Sequence, residues 1–219
     1  MKDRFDYERF QCAIFDLDGT LINSTGVWEQ VDVEFLGKRG IEVPPDFVKA
    51  IKTHNFVTGS EYVAKRFGLS ESPEKIAAEW FEMAADAYAN DIILKDGARE
   101  FLLKLKQMGY SLAVATASDR ALYEPCLKRN GIYDLFDSFT QSDEVKRGKG
   151  FPDVYELAAD KCGCGTGSCA VFEDVAEAVR GAVMGGFYTV AVSDEASRAD
   201  ERYIRENCNL FIKDYYELL

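Results

Sequence analysis

Two aspartates stand two residues apart directly after a short apolar run. Asp16 and Asp18 belong to the segment Asp-Leu-Asp-Gly-Thr, in which Gly19 can turn the chain so that both carboxylates face one cleft. Like charges this close resist joint ionisation, so the pair favours a bound cation. Oxygen ligands suit a hard cation, most simply Mg²⁺. The plainer interpretation is a turn alone, since Asp and Gly are common turn residues.

A calcium-binding loop of the EF-hand type is another interpretation of this segment. Such a loop needs a third acidic or amide ligand before its glycine and a bidentate glutamate at its twelfth position. Here the glycine follows the second aspartate at once, and the twelfth residue from Asp16 is Val27. The EF-hand interpretation is therefore excluded.

Polar side chains also follow two later apolar runs. Thr116 ends the second run, and its hydroxyl with the neighbouring N–H group of Ala117 could hold a phosphate oxygen, although a threonine at a strand end is usually a local cap. Glu173 and Asp174 follow the run at 168–172. These acids could simply be solvated, but opposite the first pair they would complete a metal site.

A lysine precedes one of the predicted helices. Lys149 lies just before the helix that Pro152 is expected to open, so a cation and a helix N-terminus would point at the same place. Lys146 and Arg147 lie close enough in the chain to compete for this role.

Buried strands are predicted wherever such short apolar runs recur. They fall at residues 12–16, 111–116, 168–172 and 188–192, with weaker candidates at 138–140 and 210–212. Amphipathic helices alternate with these strands from about residue 93 onward, and Pro125 is expected to kink or delay one of them. The alternation predicts a parallel sheet covered by helices on both faces.

The interval from about Ser24 to Asp91 differs, because it shows helical periodicity and no convincing strand. A helix is predicted after Ser72-Pro73, with its apolar stripe at Ile76, Trp80, Met83 and Ala87. The consecutive prolines at 44 and 45 indicate a loop between two helices. The simplest interpretation is a helical insert after the first strand.

The charge balance excludes two classes of partner. The 219 residues include 26 basic and 38 acidic side chains, a formal charge of -12, which would repel nucleic acid and anionic membrane surfaces. A negative protein that handles a phosphorylated substrate needs local positive charge or N–H donors.

The charged first residues do not resemble a signal peptide, so a cytoplasmic location is expected.

Six cysteines are expected to be free thiols in that compartment. Three of them, Cys162, Cys164 and Cys169, fall in a glycine-rich segment that could suggest a metal or redox site. A structural zinc site usually has four ligands, and no histidine is nearby. The segment is therefore predicted to be a loop between a helix and the fourth strand.

The ordered motifs resemble those of the haloacid dehalogenase-like hydrolases over essentially the whole chain. They are FDLDGTL at 15–21, VATAS at 114–118, KGFPDVY at 149–155 and VFEDV at 171–175. The resemblance implies an α/β fold: a Rossmann-like, doubly wound parallel core (1–22 and 93–219) with an inserted all-helical cap (23–92). Gly150 departs from the proline that many similar members have after the lysine.

The resemblance also implies a role for each motif residue. Asp16 would attack phosphorus and form an aspartyl-phosphate, and Asp18 would protonate the leaving oxygen and then activate water. Thr116, Ala117 and Lys149 would bind the phosphoryl oxygens. The implied ligands of Mg²⁺ are Asp16, the main-chain carbonyl of Asp18, Asp174 and Glu173.

A magnesium-dependent phosphatase acting on a small metabolite, such as a sugar phosphate or phosphoglycolate, is the expected function. A dehalogenase or phosphonatase would not need Asp18. A beta-phosphoglucomutase-type mutase is the main alternative, which Thr20 disfavours because mutases of this kind have an aliphatic residue there. A binding protein without activity is a further alternative. A monomer is expected, and neither Trp28 nor His54 in the cap region is assigned a role.

Overall fold

The structure is a computed structural model that describes residues 5–51 and 56–219. Within this part of the chain, one sheet has the strands β1 (Cys12–Phe15), β2 (Ser111–Thr116), β3 (Ser138–Gln141), β4 (Cys169–Glu173), β5 (Tyr188–Val192) and β6 (Leu210–Ile212). All neighbouring strands are parallel, in the order β3-β2-β1-β4-β5-β6. The predicted Rossmann-like parallel sheet is confirmed, including both weaker strands.

The helices are α1 (Val27–Gly37), α2 (Phe47–Ile51), α3 (Phe56–Phe67), α4 (Pro73–Asn90), α5 (Ala98–Gln107), α6 (Arg120–Arg129), α7 (Asp153–Lys161), α8 (Ala176–Met184) and α9 (Glu201–Asn207). The chain divides into two compact units, Met1–Thr25 with Ile92–Leu219 and Gly26–Asp91. The first unit contains the sheet, and the second contains α1 to α4. None of the described helices is both long and apolar enough to cross a membrane.

Strands β1 and β4 form the centre of the sheet because their side chains, apart from Glu173 at the end of β4, are apolar on both faces. Every residue of β1 is fully buried, as expected for a parallel strand covered on both sides. On one face, the rings of Phe15 and Phe172 stack with centroids 4.4 Å apart. On the other face, Ile14 and Val171 pack in an apolar cluster with residues of α7. This packing fixes where the two strands end.

The order of the strands reverses between β1 and β4. The chain passes from β1 to β2 and β3 on one side, then crosses back to β4 on the other. In open α/β sheets, ligands bind in the crevice at the carboxyl ends of the strands at such a reversal. The residues that follow Phe15 and Phe172, which are paired in register, therefore stand at the expected binding position.

The helical insert confirms one prediction and corrects another. Residues 44 and 45 lie in a loop between α1 and α2, as predicted. The buried stripe of α4 is instead Ile76, Trp80, Ala84 and Tyr88, whereas Met83 and Ala87 are half-buried and line a small cavity beside α1. The predicted stripe was wrong in its second half because a spacing of three or of four residues keeps a helical face, and the sequence does not decide between them.

Two prolines correct details of the predicted helices. Pro125 lies inside α6, which begins at Arg120 after an Asp119 cap, so the proline does not delay this helix. Pro152 is the N-cap of α7 rather than its first residue. Of the two cap-region residues without an assigned role, Trp28 is half-buried, and His54 lies outside the described residues.

Candidate active site

The loop after β1 holds Asp16 at the junction with β4. Asp16 N–H donates to the carbonyl of Phe172 at 3.0 Å, and the N–H groups of Leu21 and Ile22 return to the carbonyl of Leu17 at 2.8 and 2.9 Å. Gly19 turns this loop with φ 84°, a conformation that glycine adopts at little cost. A Cβ at position 19 would also collide with the carboxylate of Asp174, so glycine is needed for both shape and space.

Asp18 is held by a residue whose role the sequence did not indicate. The Ser24 hydroxyl donates a hydrogen bond of 2.6 Å to Asp18 Oδ1. Ser24 is buried, whereas Asp18 is half-buried. The hydrogen bond orients one carboxylate oxygen of Asp18, and the side chain remains partly exposed. The spacing of residues in the sequence does not indicate Ser24, because its contact with Asp18 depends on the path of the loop after β1.

Lys149 joins the loop after β1 to the end of β4. Its ammonium group forms an ion pair with Asp16 and donates to Glu173 Oε1 at 2.7 Å. The same Glu173 oxygen accepts a 2.8 Å hydrogen bond from the Tyr155 hydroxyl on α7. The competing cations lie elsewhere, since Lys146 is exposed and Arg147 pairs with Asp153.

Three buried carboxylates form a compact acidic cluster. Asp16, Glu173 and Asp174 each bring a carboxylate oxygen within 4.8 Å of the others. The Thr20 hydroxyl donates to Asp174 Oδ1 at 2.9 Å. Among the described residues, neither Glu173 Oε2 nor Asp174 Oδ2 has a hydrogen-bond partner, although both are buried. Unpartnered buried oxygens are costly, and an all-oxygen set of ligands fits a hard cation such as Mg²⁺.

The electrostatics of this cluster follow from burial and from crowding of like charges. Burial raises the pKa of Asp16 well above its ordinary value, against the opposing effect of Lys149. Burial and the Glu173 carboxylate raise the pKa of Asp174 to about 7. Burial alone would lower the pKa of Lys149, but Asp16 and Glu173 outweigh it and raise that pKa. Asp16 and Asp174 therefore resist ionisation in this pocket unless further positive charge is bound.

Thr116 ends β2, the strand that pairs with β1 on the other side. It is fully buried, and its hydroxyl oxygen accepts a hydrogen bond of 3.0 Å from Ser118 N–H. The predicted local cap is thus present. The hydroxyl proton is not used by that contact, so Thr116 can still donate to an anion. Ala117 follows as an exposed residue at the same edge of the sheet.

The structure therefore brings Asp16, Lys149, Glu173 and Asp174 into one cluster. It places Thr116 at the end of β2, and Asp18 and Ala117 on the loops after β1 and β2. Sequence reasoning assigned no role to Ser24, Tyr155 or Tyr215, and the Tyr215 hydroxyl donates to the carbonyl of Thr20 at 3.2 Å. Tyr155 lies within the KGFPDVY motif. A tyrosine on the apolar face of a helix needs a hydrogen-bond partner for its hydroxyl. This requirement could have indicated from the sequence that Tyr155 contacts a polar residue of the site.

Two curated proteins are similar to this chain over most of its length. The chain is 30% identical to the protein SUPPRESSOR OF QUENCHING 1, chloroplastic, of Arabidopsis thaliana over 200 residues, which is 89% of this chain but 19% of that protein. It is 28% identical to validoxylamine A 7'-phosphate phosphatase of Streptomyces hygroscopicus subsp. limoneus, over 84% of this chain and 86% of that enzyme.

A solved structure resembles the fold. CbbY from Rhodobacter sphaeroides in complex with phosphate superposes with a TM-score of 0.77 at 21% identity, covering 95% of this chain and 96% of that one. The family model for haloacid dehalogenase-like hydrolases matches residues 10–186, which include all four motifs. The chain belongs to the haloacid dehalogenase-like hydrolases.

Proposed function

We propose that this protein is a phosphomonoester hydrolase that transfers the phosphoryl group of a small metabolite to Asp16 and then to water. The observation that carries the proposal is the buried Asp16 beside Lys149 and an acidic pair with two unpartnered oxygens. A carboxylate placed at the reversal of strand order suits a nucleophile. The likeness to a named phosphatase over 86% of its length supports the same class of reaction.

Mg²⁺ is the proposed cofactor of this site. Asp16, Glu173, Asp174 and the main-chain carbonyl of Asp18 would hold it. When bound, such a cation neutralises negative charge and polarises a phosphoryl oxygen. The Thr20 hydrogen bond fixes Asp174 Oδ1 and leaves Oδ2 free for this purpose.

The proton transfers are assigned to Asp18. In the first step, an Asp16 oxygen forms a bond to phosphorus as the bond to the leaving oxygen breaks, and protonated Asp18 gives that oxygen its proton. In the second step, Asp18 takes a proton from the water that attacks the aspartyl-phosphate. Phosphate leaves and Asp16 is restored. The hydrogen bond from Ser24 holds Asp18 in one orientation through both steps.

Phosphoryl binding is assigned to Lys149, Thr116 and the N–H group of Ala117. The ammonium of Lys149 offsets charge as the leaving group departs. Its raised pKa keeps it protonated through the working range of pH. Thr116 donates from the neighbouring strand β2, so the two donors approach from different elements. The proposed substrate is a sugar phosphate or a phosphoglycolate-like acid.

Phosphate release from para-nitrophenyl phosphate with Mg²⁺ tests the proposal. We expect the activity to vanish in Asp16→Asn and to persist in Asp160→Asn, a matched change at an exposed position of α7. Equal activity in both variants would contradict the nucleophilic role of Asp16. A panel of phosphometabolites then identifies the substrate.

The same panel separates a phosphatase from a mutase. Conversion of a sugar 1-phosphate in the presence of its bisphosphate, with no phosphate released from any phosphomonoester, would assign the protein to the mutases. Failure of the wild-type protein in both assays would leave a binding protein.

A further inference from the structure

Four cysteines gather at the edge of the sheet opposite to the acidic cluster. Cys12 is the first residue of β1 and Cys169 the first of β4, and the two lie side by side in the strand register. Cys162 and Cys164 belong to the connection between α7 and β4. The connection folds back against the strands, which brings cysteines distant in sequence to one place.

The thiols are close enough to bind one metal ion together. The sulfur atoms of Cys12, Cys164 and Cys169 all lie within 4.8 Å of one another. The half-buried Cys162 packs against the same apolar cluster as Cys12 and Cys169. A tetrahedral zinc site with Zn–S bonds of about 2.3 Å separates its sulfur atoms by about 3.8 Å. Small rotations of the side chains would therefore close the cluster around a cation.

The surroundings suit a built site rather than a chance contact. Cys12 and Cys169 are fully buried, and Cys162 and Cys164 pack half-buried against the same apolar cluster. All six cysteines lie in the described part of the chain, and all are free thiols, as predicted. The other contacts of these thiols are weak: Cys164 Sγ lies 3.5 Å from the carbonyl of Cys162, Cys169 Sγ lies 3.3 Å from that of Gly165, and Cys162 Sγ lies 3.3 Å from Ser138 Oγ. A cation that replaces them would cost little in hydrogen bonding.

We propose that Cys12, Cys164 and Cys169, with Cys162 as the fourth ligand, bind one Zn²⁺ ion. The four thiols lose their protons on binding and no electron is transferred, so the cation exchanges with protons alone. Thiolate ligands select zinc over Mg²⁺, which prefers oxygen. The bound ion ties β1, β4 and the connection after α7 together.

This site is structural and separate from phosphoryl transfer. Cys12 and Asp16 are at opposite ends of one strand, about 13 Å apart at the usual rise of about 3.3 Å per residue. All four ligands come from this chain, so no partner is needed. The proposal stands whether or not the acidic cluster hydrolyses phosphate esters.

The test is the zinc content of the untagged full chain, expressed with added zinc, purified without chelators and measured by elemental analysis. We expect about one zinc per chain and less than about 0.2 in Cys164→Ser, since a site that loses a thiolate binds far more weakly. Cys164 is half-buried, so this variant should fold, which circular dichroism and the Mg²⁺-dependent activity would verify. Cys208→Ser, in the connection to β6, is the matched control and should retain zinc.

Two further measurements locate the bound ion and report its ligands. Asp174→Asn should retain zinc, which separates the thiol site from the acidic cluster. Replacement of zinc by Co²⁺ should produce thiolate-to-cobalt charge-transfer absorption and intense visible bands typical of tetrahedral cobalt.

Retention of full zinc content by Cys164→Ser would overturn the proposal. So would a metal-free protein whose mass shows the loss of two hydrogens, because that result would indicate a disulfide among these cysteines. Retention by Cys162→Ser alone would remove Cys162 from the set of ligands.

Discussion

Strands β1 and β4 carry opposite kinds of chemistry at their two ends. Cys12 faces Cys169 where the strands begin, and Asp16 meets Glu173 and Asp174 where they end. The intervening residues are apolar and buried on both faces. One pair of strands thus presents thiols at one edge of the sheet and carboxylates at the other.

The difference shows how one strand register can organise two unlike sites. Paired parallel strands place residues at matching positions along the two strands side by side, whatever their type. Oxygen ligands then favour a hard cation and sulfur ligands a soft one. The two edges can therefore bind different ions, provided that neither depends on the other. Single substitutions at each edge can test that independence.

Among the variants that compare the two edges, Asp174→Asn is expected to have the largest effect. It replaces a buried carboxylate oxygen of the acidic cluster, so we expect the Mg²⁺-dependent kcat/KM to fall by about 10³-fold. The zinc content should not change. Phosphatase assays across Mg²⁺ concentrations, together with elemental analysis, check both statements. Cys164→Ser is the reverse control, which should lose zinc and keep the activity. If either variant abolished both properties without unfolding, the two edges would not be independent.

Lys149→Met should have the next largest effect. The ammonium is the cation that bridges Asp16 and Glu173, and its removal should lower kcat by about 10²-fold. Because the pKa of Lys149 is raised, the wild-type enzyme should show no loss of activity from its deprotonation below about pH 10.

A profile of kcat against pH for the wild type and Lys149→Met measures both effects. Lys146→Met is the control, since Lys146 is exposed three residues upstream. A similar loss of activity in the control would show that general charge, rather than the bridge, matters.

The two edges also differ in how far the sequence predicted them. The acidic edge was predictable because apolar runs end at acids, and carboxyl ends of parallel strands meet at one edge. At the thiol edge, the segment that begins at Cys162 was predicted to be a loop before the fourth strand, and it is the connection between α7 and β4. Cys12 lies about 150 residues before its partners and looks like any core residue of a strand. Only the path of the connection after α7 brings Cys162 and Cys164 back to it.

Hydrogen-bond partners inside the acidic edge were harder to predict than its ligands. Ser24 reaches Asp18 because of how the loop after Gly19 returns, and Tyr155 reaches Glu173 because of how α7 packs on the sheet. Both depend on three-dimensional placement rather than spacing. The prediction of the buried stripe of α4 was partly wrong for the same reason, because packing against neighbouring helices decides which of its residues are buried.

Thr20→Val tests the support of one ligand in the acidic cluster. The variant keeps the shape of the side chain but removes the hydrogen bond to Asp174 Oδ1. Loss of such an outer contact should weaken the apparent affinity for Mg²⁺ by about tenfold and leave kcat at saturating Mg²⁺ nearly unchanged. Titration of activity with Mg²⁺ measures this. Thr20→Ser, which retains the hydroxyl, should behave like the wild type, and a defect there equal to that of Thr20→Val would point to packing instead.

Tyr155→Phe should have the smallest effect and addresses the connection between the two edges. Tyr155 donates to Glu173, yet its ring packs in the same apolar cluster as Cys12 and Cys169. Since Lys149 still contacts the same Glu173 oxygen, we expect kcat to fall by only about threefold. Zinc content should stay constant, because phenylalanine preserves the packing of the ring. Parallel measurement of kcat and zinc in one preparation checks this, and a variant that loses zinc would show that α7 couples the carboxylate edge to the thiol edge.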